Sequence, residues 1–433
     1  MRKPEIVSPG GSYEKAIVAA KYWADAVYVW VPFLSLRMRQ NKIKDFDLLK
    51  KTVDDLHKLG KKAYLTINIF PRNIDIKIIE STIEKIADVG ADSVIFSDPW
   101  VFVLLKKYFK DKVKYHLSTQ TNTLNWMSVK FWYDQGVDRV VLARELNVKE
   151  ILEIKQKVPE MELEAFVHGA MCMTYSGRCL LGEYFAGRDW NKGECSHVCR
   201  YKFNVYVEEE KRPGKLLKVE EDETGSFLFS SKDLCTIQHW KELVEAIDAW
   251  KIEWRSKSEF YVAATTLAYS HLRDYWWQKR SEEAWEVRRE NPVNPVLNPE
   301  ILNLVYQIPH RQYWDGFLFN DLKKNYPETE EIETTTKTEA WPLPGHKNYV
   351  WTLTDEKFEK DGKIYYAIAP KTNIFPGDEF DVLDYEDIWK KTKIIDVLNE
   401  NKEPVDKLTC NFKKAYICGE NLREWDILLK ASE

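Results

Sequence analysis

The chain has 433 residues, with 64 Lys and Arg against 69 Asp and Glu; the net charge of −5 excludes a uniformly basic nucleic-acid binder, so any RNA contact must come from a local patch. Hydrophobic residues make up 44% and charged residues 31%, the balance of a globular chain with a sizeable core, and the length predicts two domains. There is no apolar run of about eighteen residues, and the opening MRKPEIVSPGG lacks the apolar core of a secretion signal, so a cytoplasmic, membrane-free protein with reduced thiols is expected.

Short apolar runs alternate with amphipathic stretches over the first 260 or so residues. Strands are expected at Glu5–Ser8, Ala26–Val31, Ala63–Ile69, Ser93–Ser97, Val113–Ser118, Arg139–Ala143, Leu163–Val167 and Trp250–Glu253. Helical patterns fall between most of them, among them Tyr13–Trp23, Phe46–Leu59, Ile76–Val89 and Val148–Lys157. Eight strand–helix units of this length predict an α/β fold, a (β/α)8 TIM-type barrel over residues 1–290. The runs read as unalternating, as parallel strands covered on both faces should. Residues just after each strand then share one face: Asn68, Thr119, Gln120, Arg144, Glu145, His168, Glu253 and Arg255.

Between the seventh and eighth strands, residues 164–203 hold Cys172, Cys179, Cys195 and Cys199 in the spacing C-x6-C-x15-C-x3-C. Arg178, Arg188 and Arg200 lie among them. Four thiolates can hold zinc or an iron–sulfur cluster, and the spacing leaves both open, although C-x6-C is wide for a zinc knuckle. Cys235, in SSKDLC, is an alternative fourth ligand. The stretch Tyr206–Phe229 reads as a hairpin or excursion. Residues 291–342 read as a linker with some ordered pieces. Residues 343–433 carry short alternating runs (YVWTL, KIYYAIAP, NIFPGDEFDVL, KAYIC) that predict a small C-terminal all-β barrel domain.

No G-x-S-x-G, HExxH, P-loop or Rossmann glycine fingerprint occurs. A His168–Cys172 dyad would suit a Cys-dependent peptidase, but clustered cysteines argue for ligation. Read singly, His168 and the pair Glu253 and Arg255 are better explained by structure than by function. A planar Arg fork nonetheless makes Arg37 and Arg255 natural partners for carboxylates.

The segments PEIVSPGGSYEKAIVAA, ADAVYV with SLR, HGAMCMTYSGRCLL, GRDWNKGECSHVCRYKF, SSKDLC, KIEWRSKSEFYVA and NIFPGDEFDVL resemble the collagenase-like proteins once filed as peptidases of unknown catalytic type, family U, number thirty-two. The resemblance spans nearly the whole chain. It implies a barrel carrying a [4Fe–4S] cluster on Cys172, Cys179, Cys195 and Cys199, with Cys235 as the alternative ligand. It also implies oxygen-independent hydroxylation of tRNA, ribosomal RNA or a quinone ring, with prephenate as hydroxyl donor and co-substrate. The C-terminal β-domain is similar to that of the tRNA-acting branch, which makes 5-hydroxyuridine at the wobble position of the anticodon loop. On this resemblance His168 and Arg255 are expected to be catalytic, and Arg37, Gln120 and Glu253 to bind substrate. A peptidase, with zinc as the metal, is the alternative.

The chain departs from the family in one way. It contains 17 Trp and only 17 Gly, where average usage would give roughly 30 Gly. Trp23, Trp30, Trp100, Trp254 and Trp351, with Trp190 as a further case, stand where the family pattern has glycine. An indole should overfill such sites. A gene in which UGA encodes glycine but has been translated as tryptophan would account for them all; real divergence with compensating changes is the alternative. The codons for Trp23, Trp30 and Trp254 are predicted to be UGA; UGG at these positions would sink the idea.

Overall fold

A computed structural model describes residues 2–35, 41–172, 174–176, 178–180, 206–208, 216–218, 233–253, 258–279, 299–310, 313–319, 347–386 and 388–431. The N-terminal part begins β1 (Glu5–Gly10), α1 (Tyr13–Lys21), β2 (Ala26–Trp30), α2 (Phe46–Lys58), β3 (Lys62–Ile67), α3 (Asn73–Ala87) and β4 (Ser93–Phe96). It continues with α4 (Pro99–Phe109), β5 (Lys114–Leu117), α5 (Trp126–Asp134), β6 (Arg139–Val141), α6 (Val148–Lys157) and β7 (Glu162–Ala170). After β7 come a hairpin of β8 (Tyr206–Glu208) and β9 (Leu216–Lys218), then β10 (Asp233–Cys235), α7 (Trp240–Ala246), β11 (Ala249–Ile252) and α8 (Glu259–Lys279).

Strands β1 to β7 pair in order and in parallel, and β11 closes the ring by pairing in parallel with both β7 and β1. The result is the expected eight-stranded (β/α)8 barrel. Side chains facing the helices are apolar, as with Val27, Leu65, Val94, Leu117 and Leu163, and they bury the helices' apolar stripes. Short polar residues start the helices at the strands' exit: Ser12 caps α1, Asp45 caps α2, Asp98 precedes Pro99 in α4, and Asn147 forms a capping box with Glu150 in α6.

At the opposite end one device recurs four times. An Asp just before a strand accepts the first free backbone N–H of its neighbour: Asp25 from Ile6 (2.7 Å), Asp92 from Ala63 (2.7 Å), Asp138 from Tyr115 (2.8 Å) and Asp248 from Leu163 (2.8 Å). Each bond ties one strand pair in register, so the strand ends emerge at fixed heights at the far rim.

The region expected to be a linker contains α9 (Pro299–Gln307), β12 (Tyr313–Trp314) and α10 (Gly316–Phe319). Strand β12 pairs with β10, which runs antiparallel to β7 outside the barrel, with Cys235 opposite His168. The C-terminal strands are β13 (Lys347–Thr352), β14 (Lys357–Lys360), β15 (Lys363–Ile368), β16 (Glu379–Asp384), β17 (Ile388–Leu398), β18 (Ala415–Gly419) and β19 (Ile427–Ala431). They form one antiparallel sheet in the order β13-β19-β16-β17-β18-β15-β14. Its end strands β13 and β14 do not pair with each other, so the expected small barrel is a curled half-barrel around Val350, Phe380, Val382, Ile394 and Ile417.

The half-barrel is pinned to α1. The Tyr22 hydroxyl donates to the carbonyls of Leu383 (2.7 Å) and Trp425 (3.2 Å), and the Trp23 indole donates to that of Tyr385 (2.9 Å). Helix α1 ends before Trp23, contrary to the sequence expectation, because Trp23 has φ +75°. That is the left-handed conformation of a glycine helix stop, which costs an L-residue about 1–2 kcal/mol. Trp425 also sits at φ +70°, so the structure adds a tryptophan in a glycine conformation that the sequence did not single out. Trp23 is 49% exposed, so its packing offsets little of this cost. Trp23→Gly is predicted to exceed Trp23→Ala in stability by about 1 kcal/mol, because both lose the indole and only Ala retains the strain. Thermal denaturation of the two variants checks this; equal midpoints would show no strain at residue 23.

Candidate active site at the barrel mouth

The barrel interior is charged. On β6, Arg139 reaches Glu5 of β1 (2.7 Å) and Glu162 (2.6 Å) and Glu164 (3.0 Å) of β7. Glu164 in turn accepts from Lys251 of β11 (2.6 Å), and the Lys251 ammonium stands 4.5 Å from the centre of the Tyr28 ring. Tyr64 donates to Glu5 (2.5 Å). Inner-face positions of β3, β5, β6, β7 and β11 are therefore polar, and these strands alternate where an unalternating pattern was expected. Burial works to raise the Glu5 pKa, but Arg139, Lys62 and Tyr64 together outweigh it and hold it at about 2. His116 faces the same column. Burial and then the neighbouring Arg139 and Lys251 hold it far below the ordinary histidine value, so it is neutral, and neither ring nitrogen has a partner among the described residues.

Above this column lies a cavity of about 80 Å³. Its floor and walls are Tyr28, Trp30, Thr66, Ile95, Phe166 and Lys251, with Asn68, Thr119, Gln120, Arg144, Glu253 and Cys172 at the strand exits. Arg144 follows β6 and is buried. It donates to the Ala170 carbonyl (2.8 Å), forms an ion pair with Glu253, and its guanidinium lies 4.0 Å from the centre of the Phe166 ring. Burial works against its charge, but Glu253, Cys172 and Glu145 together outweigh burial and raise its pKa above the usual arginine value. Its Nε has no acceptor among the described residues. Gln120 is similar: Ser97 (3.2 Å) and Ser118 (3.3 Å) donate to its carbonyl, leaving the buried amide nitrogen without a described partner. Two such buried donors in one small cavity are the complement of a ligand's carboxylate or carbonyl oxygens.

Of the sequence-derived site residues, Gln120 and Glu253 line this cavity together with Cys172. His168 is not among the lining residues. It is buried among the rings of Tyr261, Tyr269 and Tyr313, with the Tyr269 hydroxyl 3.5 Å from Nδ1 and that of Tyr313 3.4 Å from Nε2. Gly169 follows at φ +114°, where an added Cβ would meet Glu253 and the Tyr261 hydroxyl at 2.8 Å, so only glycine lets β7 pass Glu253 this closely. Arg37, Cys195, Cys199 and Arg255 lie outside the described residues, as do Trp190 and Trp254. Sequence reasoning missed Trp30, Lys251 and the role of Arg144. Period-two alternation on β7 and β11 would have pointed Glu164, Phe166, Lys251 and Glu253 inward.

The cysteine segment leaves β7 beside Arg144, and Cys172 lies close enough to add to the pull on that guanidinium's proton. Six residues on, Arg178 stands 5.2 Å over the ring of Phe70, past the end of β3. Cys235 is buried beside the Tyr269 hydroxyl (4.0 Å), and burial pushes its thiol up to about 11. Among the described residues no three His, Cys, Asp or Glu side chains form a metal-sized group. Cys172 at an open, arginine-lined mouth suits a thiolate ligand; Cys235 would need the metal's own charge to ionise.

Residues 11–327 match the family model described as Peptidase family U32. The tRNA hydroxylation protein P of Escherichia coli (strain K12) is 35% identical over 421 residues, covering 88% of this chain and 86% of that protein. A protein of the same name from Helicobacter pylori (strain ATCC 700392 / 26695) is 41% identical over 320 residues, 73% of this chain and 72% of that one. A protein named Collagenase from Porphyromonas gingivalis (strain ATCC BAA-308 / W83) is 29% identical over 324 residues, 72% of this chain and 73% of that one.

The charged column makes a pH prediction. Glu5→Gln leaves Arg139 undercompensated and is predicted to cost about 3 kcal/mol at neutral pH. Because the folded pKa of Glu5 is depressed from 4.5 to about 2, its contribution is complete above 4.5 and is lost as pH falls toward 2. Urea denaturation of parent and variant should show a gap that narrows across this window; a gap constant with pH would contradict the ion pair.

Proposed function

The chain belongs to peptidase family U32, and from that membership and the mouth's geometry we propose that it is a tRNA hydroxylase. The substrate position is C5 of the wobble uridine in the anticodon loop, and the product is 5-hydroxyuridine. One observation carries this reading beyond the relatives' names: the mouth joins a buried Arg144–Glu253 pair, two donors without described acceptors and Cys172 in one cavity. A base flipped from a single-stranded loop offers carbonyl oxygens to such donors. A dicarboxylate such as prephenate, the proposed hydroxyl donor, offers carboxylates.

The protein's own groups bind and orient. Gln120, held by Ser97 and Ser118, presents a fixed amide N–H, and Arg144, fixed by Glu253, Ala170 and Phe166, presents a fixed Nε–H. Lys251 and Glu164 neutralise one another beneath the cavity, so a bound carboxylate meets no net negative floor. His168, in its tyrosine cage, holds the strand end that launches Cys172. Replacing the C5 hydrogen by a hydroxyl group is a two-electron oxidation of the base, matched by two-electron reduction of the proposed donor as its C–OH bond breaks and a C–H bond takes its place. A [4Fe–4S] cluster on Cys172, Cys179 and Cys195, completed by Cys199 or Cys235, would supply redox-active iron when bound.

The cavity of about 80 Å³, with Trp30 in its wall, is smaller than a cavity of about 150 Å³ that takes up benzene. Glycine at residue 30 would open that wall. The substrate-ready pocket is therefore proposed to be the glycine form.

Nucleoside mass spectrometry of tRNA tests the reading. 5-Hydroxyuridine should be present in a strain carrying the gene, absent from the deletion, and absent again with Cys172→Ala, whose anaerobically purified protein should lack iron. Of Cys199→Ser and Cys235→Ser, the one that keeps its iron identifies the non-ligand. Unchanged hydroxyuridine in the Cys172→Ala strain would contradict the mechanism, and collagen cleavage by an iron-free protein would favour the peptidase alternative.

A further inference from the structure

A second cavity lies elsewhere, a groove of about 720 Å³ between the barrel and the half-barrel. Its barrel wall comes from residues that follow strand exits: Ser12 and Glu14 after β1, Lys42 after β2, and Glu259 after β11. The groove therefore opens on the same face as the pocket mouth, beside the strands β1, β2 and β11. Its other wall comes from β13, β15 and the turns around Lys371 and Lys413 of the half-barrel.

The groove's charge is opposite in sign to the chain's. Lys15, buried at its edge, stands 3.9 Å from Glu259, whose carboxylate also accepts from the Tyr349 hydroxyl (2.9 Å). Lys371 stands over the Tyr349 ring at 4.3 Å and feels the same carboxylate, and Lys42 is close enough to repel both lysines. Two ammonium groups thus face one carboxylate, with a third, Lys42, beside them. Lys51 and Lys414 are already paired, with Asp55 and Glu356. Lys42 and Lys413, both exposed, have no ion pair among the described residues. Discounting the paired groups, Lys15 with Glu259 among them, leaves Lys42, Lys371 and Lys413 against Glu14, a positive surplus in a chain of net charge −5. Desolvated, mutually repelling ammonium groups are stabilised by an arriving polyanion, and each phosphate neutralised releases condensed counterions.

We propose that this groove seats the phosphate backbone of tRNA, its lysines from both domains gripping the stem whose loop delivers a base to the barrel mouth. The proposal rests on the tRNA-hydroxylase reading. It gives the half-barrel a role: Lys371 and Lys413 complete a cationic surface that the barrel alone only begins.

Filter binding of the full-length protein to unmodified tRNA over a salt series tests this. The variant Lys42→Glu/Lys371→Glu/Lys413→Glu should bind at least about tenfold more weakly, and its log–log salt slope should fall by about 0.9 for each phosphate no longer neutralised. A charge-matched control at the opposite end of the barrel, Lys85→Glu/Lys112→Glu/Lys157→Glu, should bind like the parent. A groove variant indistinguishable from the control would overturn the groove alone. A parent that binds no tRNA would overturn the groove together with the reading beneath it.

Discussion

The architecture depends on the guanidinium of Arg139, buried on the barrel axis among Glu5, Glu162 and Glu164. A barrel of this kind ordinarily fills its interior with branched apolar side chains. Here a column of ion pairs runs upward through Glu164 to Lys251 and ends beneath the mouth. Such a column is tolerable only when every charge is answered, because one uncompensated charge in this setting costs several kcal/mol. The requirement locks β1, β6, β7 and β11 to one another. Arg144, Phe166 and Glu253, which follow one or a few residues above those pairs, inherit their positions from it. A neutral His116 beside two cations is the same constraint seen from β5.

What is built on the column is a small chamber with donors to spare. The chain leaves it from β7, Arg178 stands over Phe70 past the end of β3, and β10 pairs with β7 outside the barrel, with Cys235 registered against His168. The tyrosines around His168 hold that strand end in place. Chamber, Cys172 and lysine groove all open on the strands' C-terminal face, where (β/α)8 enzymes place their chemistry. The half-barrel, fastened through Tyr22 and Trp23, extends that face sideways.

Much of this was legible in the residues. All eight barrel strands lie where apolar runs predict them, and the Val148–Lys157 helix matches to the residue, since its capping box and amphipathic period mark both ends. Gln120 and Glu253 reach the mouth because strand exits share a face. The inner charges were missed: by residue type Glu164 and Lys251 look like surface residues, and only the period-two alternation of β7 and β11 marks them as facing inward. The four Asp residues preceding β2, β4, β6 and β11 were visible as ADAVYV, ADSVIF, VDRVVL and IDAWKI, yet their bonding becomes apparent only once neighbouring strands are paired. The α1 helix reads through Trp23 by periodicity, whereas the backbone stops it there as it would at glycine. Ordered pieces of the supposed linker, α9 and β12, depend on partners far away in sequence, the long α8 and β10.

The central claim is that the barrel mouth receives the wobble base. Photo-crosslinking tRNA that carries 4-thiouridine at the wobble position, followed by mass spectrometry of the attached peptides, tests it most directly. Attachment to peptides holding Gln120, Phe166 or Cys172 is predicted. Attachment confined to the half-barrel or to the Asp-lined end of the barrel would contradict it.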